Sequence, residues 1–185
     1  MLGAPGAGKG TQSALLAEKI GAHHISTGEL FRSAIAEGTD IGKKVKEYVD
    51  RGDLVPDKLV VDVVTEKLKS FTAEESFILD GFPRTIEQAR ALDKFLEERQ
   101  TPLTHIVYID VPNDKLLERL RIRIEQSGSQ ARSDDSEEVF AHRLKVYWEE
   151  TAPLIEFYKE KGVLFSVDGL GTPEEVSKRV LEVLK

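Results

Sequence analysis

The sequence predicts an α/β fold in which a doubly wound parallel sheet is flanked by helices. Short apolar runs typical of strands alternate with longer stretches that have helical periodicity. These runs are nearly continuous, as is usual for strands buried on both faces of a parallel sheet. A glycine-rich segment at residues 3–11 stands directly before the first helical stretch. The 185 residues fit one domain with a sizeable core.

Strands are predicted where an apolar run is followed at once by a glycine or proline turn signal, at residues 77–80, 104–111 and 163–167. Between about residues 26 and 55 helical patterns follow one another without a strand signal, which indicates an inserted lobe. A polar break at residues 127–135 separates two helices and indicates a mobile flap, although an ordinary surface loop has the same composition.

Helices are predicted where apolar residues recur three and four positions apart. The segments are residues 9–20, 41–50, 58–68, 86–98, 114–124, 137–161 and 173–184. Four polar residues stand where they can cap the helix that follows: Asp40, Asp57, Thr85 and Ser136. The longest helix is expected to bend near Pro153, and Pro173 suits the first turn of the last one.

Composition excludes several classes of protein. The chain has no cysteine, so it has no disulfide, thiolate zinc site, iron–sulfur cluster or cysteine nucleophile. Its formal net charge of -7 argues against a general nucleic-acid coat. No apolar run reaches the ~18–20 residues that span a bilayer, and no secretory leader is recognisable. We therefore expect a cytoplasmic protein without nucleic-acid or membrane partners, in which any site for an anion gathers positive charge locally.

The segment at residues 3–11 has the spacing G-x-x-x-x-G-K of a phosphate-binding loop. Its glycines let successive backbone N–H groups approach a phosphate, a helix begins directly behind them, and Lys9 adds a full charge. The strict motif places Ser or Thr directly after the lysine, but here Gly10 precedes Thr11. The plain alternative is a glycine-rich turn before a helix.

The string GAPGAGKGTQ closely resembles the phosphate loop of the adenylate kinases, within the nucleoside-monophosphate kinase family. Further segments resemble that family in the same order along the chain: HISTGELFR at 24–32, DLVPD at 53–57, FILDGFPRTIEQ at 77–88, and RSDD at 132–135 with Arg143 beyond it. Together they cover nearly the whole chain. The resemblance implies a P-loop fold and reversible transfer of the terminal phosphoryl group of ATP to AMP, giving two ADP.

The resemblance also implies a division into parts. The core would comprise residues 1–25, 56–123 and 136–185, with a monophosphate-binding lobe at 26–55 and a lid at 124–135. This lid is short and without zinc, because Arg123 and Arg132 are nine residues apart and no cysteine is present. Family members have more apolar residues before the loop, which form the central strand. Since only Met1 and Leu2 precede Gly3, we expect a shortened strand or a truncated start.

Site residues follow from the resemblance, position by position. The implied ATP-binding residues are Gly6, Ala7, Gly8, Lys9, Gly10, Thr11, Arg119, Arg123 and Gly171. The implied AMP-binding residues are Thr27, Arg32, Asp53, Leu54, Val55, Gly81, Phe82, Pro83, Arg84, Gln88, Arg132 and Arg143. The residues implied in catalysis are Lys9, Arg84, Arg123, Arg132 and Arg143. The family uses Mg²⁺ with the nucleotide, and Asp80 matches the carboxylate that holds it through water, although a strand-terminal cap would also explain this residue. A monomer is expected from the family.

The chemistry agrees with these residue types. The acceptor is a phosphate oxygen that is already ionised, so no strong general base is needed, and the sequence has neither a Ser–His–Asp order nor a kinase-type H-R-D string. Arginine suits the task because it stays protonated and binds phosphate with two parallel hydrogen bonds. An amide such as that of Gln88 can donate to and accept from the edge of adenine.

Other polar and aromatic residues have plainer interpretations. Arg121 is expected on the surface, and the four histidines form no metal set. Tyr147, Trp148 and Phe157 are expected in the core. Two alternatives to the function stay open: a kinase for another monophosphate such as UMP or CMP, and a nucleotide-binding switch that performs no transfer.

Overall fold

The computed structural model of the chain describes residues 1–127, 134 and 136–185. Parallel strands alternate with helices, so the predicted α/β class is confirmed. The order is α1 Lys9–Ile20, β1 His23–Ser26, α2 Thr27–Ala36, α3 Asp40–Arg51, α4 Asp57–Lys69, β2 Phe77–Asp80, α5 Ile86–Glu98, β3 Ile106–Asp110, α6 Asn113–Ser127, α7 Glu137–Val146, a π-helical turn Tyr147–Thr151, α8 Pro153–Glu160, β4 Leu164–Asp168 and α9 Pro173–Glu182. None of the described helices is long and apolar enough to cross a membrane.

The sheet consists of two parallel pairs with the start of the chain between them. Strand β1 pairs with β2, and β3 pairs with β4. Leu2 forms a parallel bridge to Tyr108 of β3, where its N–H donates to Val107 O at 2.8 Å. On the other side, the amino group of Met1 donates to Leu79 O of β2 at 2.8 Å. The two residues before the glycine-rich loop therefore take the place of a short central strand.

Because the strands are parallel, their carboxyl ends lie at one edge of the sheet. Ser26 leads into α2 there, Asp80 into Gly81, and Leu2 into the glycine-rich loop. Buried apolar clusters hold these ends in place. One packs Leu16, Ile109, Leu116 and Phe140 together, and the other includes Ile25, Phe31, Val64 and Leu92.

Strand β1 was not predicted. Its four residues, His23–Ser26, include two histidines, and only the last two residues are buried. The strand forms because its backbone pairs with Phe77–Asp80, in register His23 to Phe77 through Ser26 to Asp80. A stretch this short carries too little apolar signal to be found without its distant partner.

Two predicted caps are wrong. Thr39 caps α3 by accepting from the N–H of Gly42 at 3.1 Å, which leaves Asp40 exposed in the first turn. Pro56 precedes α4 without any side-chain cap, because the carboxylate of Asp57 binds groups on α5 instead. The predicted caps Thr85 and Ser136 are confirmed, by hydrogen bonds from the N–H groups of Gln88 and Val139.

The predicted long helix at 137–161 is divided by the π-helical turn. The N–H of Ala152 donates to Tyr147 O, five residues back, and α8 begins at Pro153. Proline has no N–H to continue the helical ladder, so the regular α-helix is interrupted next to the residue where the sequence predicted a bend. The turn also directs Trp148 outward with 46% of its surface exposed, so its predicted core position is wrong, whereas Tyr147 is buried.

Candidate active site

The glycine-rich loop turns sharply before α1. Gly8, with φ of +98°, occupies the N-cap position, a backbone conformation that a side chain would strain. The phenyl ring of Phe140 lies under Gly6, where an added Cβ would come within 3.2 Å of it. Lys9 crosses back over the loop, and its Nζ donates to Gly3 O at 2.8 Å and to Ala4 O at 3.2 Å. The loop thus places one ammonium group and the start of a helix at the edge of the sheet.

Asp80 faces this lysine from the end of β2. Burial by itself raises the pKa of Asp80, but the nearby imidazole of His24, whose Nε2 lies 3.8 Å from Oδ2, and the charges of Lys9 and the terminal amine lower that pKa to about 2. Burial lowers the pKa of Lys9 to about 8, against the opposing effect of Asp80. The aspartate is therefore ionised at neutral pH, and most of the lysine population is protonated.

An open cleft of about 1640 Å³, here called the loop cleft, runs along the glycine-rich loop. The predicted ATP-binding residues that line it are Gly6, Ala7, Gly8, Lys9, Gly10, Thr11, Arg119, Arg123 and Gly171. Arg119 spans one wall: its Nη1 donates to Ala7 O at 3.0 Å and its Nη2 donates to Gly169 O at 2.6 Å. This arginine therefore connects the loop to the segment after β4.

A second cavity of about 580 Å³, here called the lobe pocket, lies between α2, α3 and the end of β2. The predicted AMP-binding residues that line it are Thr27, Arg32, Asp53, Leu54, Val55, Gly81, Arg84, Gln88 and Arg143. Thr27 is fixed by a hydrogen bond from its hydroxyl to Gly81 O at 2.9 Å. Phe82, only 1% exposed, is instead a core residue that packs with Leu92, and Pro83 is buried beside it.

The two cavities share a wall that carries positive charge. Five residues line both: Gly28, Arg32, Gly81, Arg84 and Arg143. The Nε of Arg84 donates to Gly81 O at 2.8 Å, and its own carbonyl accepts from the Thr151 hydroxyl at 2.8 Å. Arg143 donates to the Asp134 carboxylate at 2.7 Å. An anion in either cavity would therefore meet the same guanidinium groups.

Gln88 is held at the inner end of the lobe pocket with only 1% of its surface exposed. Its Nε2 donates to Asp57 Oδ1 at 2.7 Å, and its Oε1 accepts from the N–H of Arg84 at 2.8 Å. Each amide atom is thus engaged once by the protein. One hydrogen on nitrogen and one lone pair on oxygen remain for a ligand.

A metal ion would find a sparse donor set here. Among the described residues no three His, Asp or Glu side chains are grouped so that they could hold one. Asp80 and Thr11 both line the loop cleft, and a Cβ added at Gly10 would lie 3.4 Å from one Asp80 carboxylate oxygen. A single carboxylate and a hydroxyl fit a cation that arrives with a polyphosphate and keeps its waters, as Mg²⁺ does.

Several site residues were not predicted. Asp57 accepts a hydrogen bond from Gln88 Nε2, and the Thr151 hydroxyl donates to Arg84 O. Gln12 donates from its Nε2 to Pro173 O across the loop cleft. Gln12 lies in the GAPGAGKGTQ string and Asp57 in the DLVPD string, whereas no sequence signal points to Thr151.

Two predicted residues remain to be placed. Arg132 lies outside the described residues, as does most of the predicted flap. Arg121 is exposed and paired with Glu137, as expected.

Comparison with known proteins identifies the relatives of this chain. The family model described as adenylate kinase matches residues 1–163. The chain is similar to the adenylate kinase of Thermus thermophilus, with 47% identity over 99% of this chain and 94% of that protein. It is also 48% identical to that of Mycobacterium bovis, over 100% of this chain and 97% of the relative. A third relative, the adenylate kinase of Phocaeicola vulgatus, is 47% identical over 95% of this chain and 92% of its own length.

Proposed function

The chain belongs to the adenylate kinase family, and from that premise we propose which of its residues carry out the reaction. The protein is a phosphotransferase that moves the terminal phosphoryl group of ATP reversibly to AMP, giving two ADP. The observation that best supports the assignment of residues is that the loop cleft and the lobe pocket share one wall. Two cavities with common arginines provide a meeting point for two anionic groups.

In this proposal the loop cleft holds ATP. The backbone N–H groups of the glycine-rich loop and the N-terminus of α1 bind its phosphates, together with Lys9 and Thr11. Arg119 and Gly171 lie on the adenine side of the cleft, and Arg123 follows one turn later on α6. The bridge from Arg119 to Ala7 and Gly169 supports this role, because it fixes the width of the cleft at that point.

The lobe pocket holds AMP in the same proposal. Arg32, Arg84 and Arg143 would bind its phosphate at the shared wall. Thr27 and the backbone of residues 53–55 would line the nucleoside, and Gln88 would read the base from the inner end. The support is that these side chains converge on one pocket although they come from four separate segments of the chain.

Transfer then depends on alignment and charge. The AMP phosphate oxygen is already ionised, so the protein need only direct it at the terminal phosphorus of ATP and stabilise charge that moves during transfer. Guanidinium groups at the shared wall would contact the phosphates of both ATP and AMP, whereas a group that lines one cavity alone would contact only one of the two nucleotides. Arg84 and Arg143 suit this position because Gly81 and Asp134 hold them in place.

Adenylate kinases use a divalent metal ion with ATP, and we assign Mg²⁺ to the side of the loop cleft where Asp80 and Thr11 lie. When bound, the ion neutralises phosphate charge and orients the terminal phosphate. Asp80 is suited to hold its waters because the carboxylate stays ionised at neutral pH. The nearby His24 and the positive charge of Lys9 favour the ionised form of this carboxylate.

The division into moving parts is also a proposal: a core, a lobe at residues 26–55 and a short lid at 124–135 that close over the nucleotides. Closure would exclude the water that could otherwise hydrolyse ATP. We further propose that the protein acts as a monomer in the cytoplasm. The lining of both cavities by one chain and the acidic, cysteine-free composition support this.

The shared wall is tested by comparing Arg84→Lys with Arg90→Lys, an exposed position on the adjoining helix. Arg84→Lys should lower kcat with both nucleotides saturating by about 10²-fold, since a lost contact to transition-state charge is worth several kcal/mol. It should also weaken binding of the analogue that joins two adenosines through five phosphates. Arg90→Lys should behave as wild type. A loss confined to the KM of one nucleotide would contradict the shared wall.

A further inference from the structure

We propose that Asp57 determines base specificity by fixing the direction in which the Gln88 amide faces. Asp57 does not line the lobe pocket; it stands behind Gln88, at the start of α4. The inference rests on the proposed function of Gln88 as the residue that reads the base. It adds a positioning residue that selects between two classes of base.

The contacts form a closed network. Asp57 Oδ1 accepts from Gln88 Nε2 at 2.7 Å, and Asp57 Oδ2 accepts from the Thr85 hydroxyl at 3.0 Å. Thr85 in turn caps α5 by accepting from the backbone N–H of Gln88 at 3.2 Å. On the other side, the N–H of Arg84 donates to Gln88 Oε1 at 2.8 Å. The amide is therefore bound at both of its ends, in a position that is 1% exposed.

These partners allow only one orientation. A carboxylate only accepts hydrogen bonds and a backbone N–H only donates them. If the amide turned over, its oxygen would face the Asp57 carboxylate and its NH₂ group would face the N–H of Arg84. Both hydrogen bonds would be lost and two repulsive contacts would replace them, at a side chain that is only 1% exposed.

The fixed amide presents a defined pattern to the pocket. One N–H donor remains on Nε2 and one lone pair on Oε1, side by side. A base pairs with this edge when it offers a ring-nitrogen acceptor beside an amino group, as adenine and cytosine do. Guanine and uracil offer a ring N–H beside a carbonyl oxygen and would pair only with the inverted amide. The network therefore favours amino bases and rejects keto bases.

The experiment measures kcat/KM for AMP, CMP, GMP and UMP in wild type and in three variants. Asp57→Ala removes the acceptor, so the ratio of kcat/KM for AMP to that for GMP should fall by about tenfold, the value of one charge-assisted hydrogen bond. Asp57→Asn should retain most of the ratio, because its oxygen still accepts from Nε2. Asp62→Asn, on the exposed face of the same helix, should change nothing.

A purely structural role for Asp57 would lower kcat/KM for all four monophosphates by the same factor, with a lower Tm and unchanged ratios. That result overturns the proposal. If Asp57→Ala does not fold by circular dichroism, Asp57→Ser replaces it, since serine stays polar in the first turn but is too short to reach the amide. The variant Gln88→Ala tests base reading by Gln88 separately from positioning by Asp57. If this variant keeps the preference for AMP, Gln88 does not read the base. If Gln88→Ala loses the preference for AMP but Asp57→Ala keeps the wild-type ratio of kcat/KM for AMP to that for GMP, only the positioning role of Asp57 is refuted.

Discussion

The partly buried ammonium group of Lys9 should make the stability of the protein depend on pH in a particular direction. The pKa of Lys9 falls from its ordinary value of 10.5 to about 8 in the folded chain, because burial disfavours the charged form. Between these two values the unfolded chain binds more protons than the folded chain. The contribution of Lys9 to the free energy of unfolding therefore rises with pH across this window. Below about pH 8 the folded chain bears the full free-energy cost of keeping the ammonium group charged.

The size of the effect follows from the same pKa values. A pKa change of one corresponds to about 1.4 kcal/mol, so the fall from 10.5 to about 8 corresponds to about 3 kcal/mol. Lys9 lines the open loop cleft, where water screens part of this cost. We expect about 2 kcal/mol in practice.

The assay is urea unfolding of wild type and Lys9→Met, followed by circular dichroism between pH 7 and 10.5. Titrating groups that do not interact with Lys9 cancel in the difference between the two proteins. The two that do interact with it, the terminal amine and Asp80, have pKa values of about 6 and about 2 in the folded chain, below this pH range. That difference should move in favour of wild type by about 2 kcal/mol as the pH rises. Lys69→Met is the control, because this exposed lysine pairs with Glu66 at the surface and its ammonium group stays hydrated.

Two results would refute the reasoning. A difference that stays constant with pH would mean that the ammonium group is as well solvated in the cleft as in the unfolded chain. A difference that moves in favour of Lys9→Met would mean that the attraction of Asp80 outweighs burial. In the second case the pKa of Lys9 is raised instead of lowered.

Three other predictions concern groups around the two cavities. Thr151→Val removes the hydroxyl that holds the Arg84 carbonyl, so kcat should fall by about tenfold; Thr65→Val, which removes a similar bond inside a helix, should lower Tm without this loss. Arg119→Lys cannot bridge two carbonyl oxygens with one fork, so steady-state kinetics should give a KM for ATP about tenfold higher and an unchanged KM for AMP. Phe140→Ala leaves a void under the loop and should cost about 3–5 kcal/mol in urea unfolding; a loss below 1 kcal/mol would show that the core closes over the void.

The elements that the sequence predicted well are those with local signals. Helix α5 begins at Ile86 and ends at Glu98 as expected, because Thr85 supplies a cap and the apolar spacing is regular. Strand β1 could not be found in this way, since it depends on pairing with β2 more than fifty residues later. The same holds for the cap of α3: Thr39 and Asp40 are both of the residue types that cap helices, and Thr39 takes this position, where its hydroxyl and its N–H also donate to Ala34 O at the end of α2.

The site residues show the same difference between local signals and distant contacts. The glycine-rich loop and the strand end at Asp80 were recognisable because their function needs particular residues at fixed spacing. Asp57 was misread as a cap because both roles suit an aspartate at the start of a helix, and its true partner lies thirty-one residues away. Thr151 carries no sequence signal at all, since one hydroxyl within a helical stretch is unremarkable until the π-helical turn brings it to Arg84.

The fixed amide at the inner end of the lobe pocket also bears on how much a single residue can specify. The four common bases are separated by two binary questions: amino or keto edge, and one ring or two. The Gln88 amide, held by Asp57, distinguishes only an amino edge from a keto edge, so it cannot separate adenine from cytosine. The number of rings must be distinguished by the dimensions of the cavity, because Val55 and Phe31 line the same pocket and limit the space left for a ring. Discrimination against CMP is thus a matter of shape, and enlarging or filling that space would change it independently of the amide.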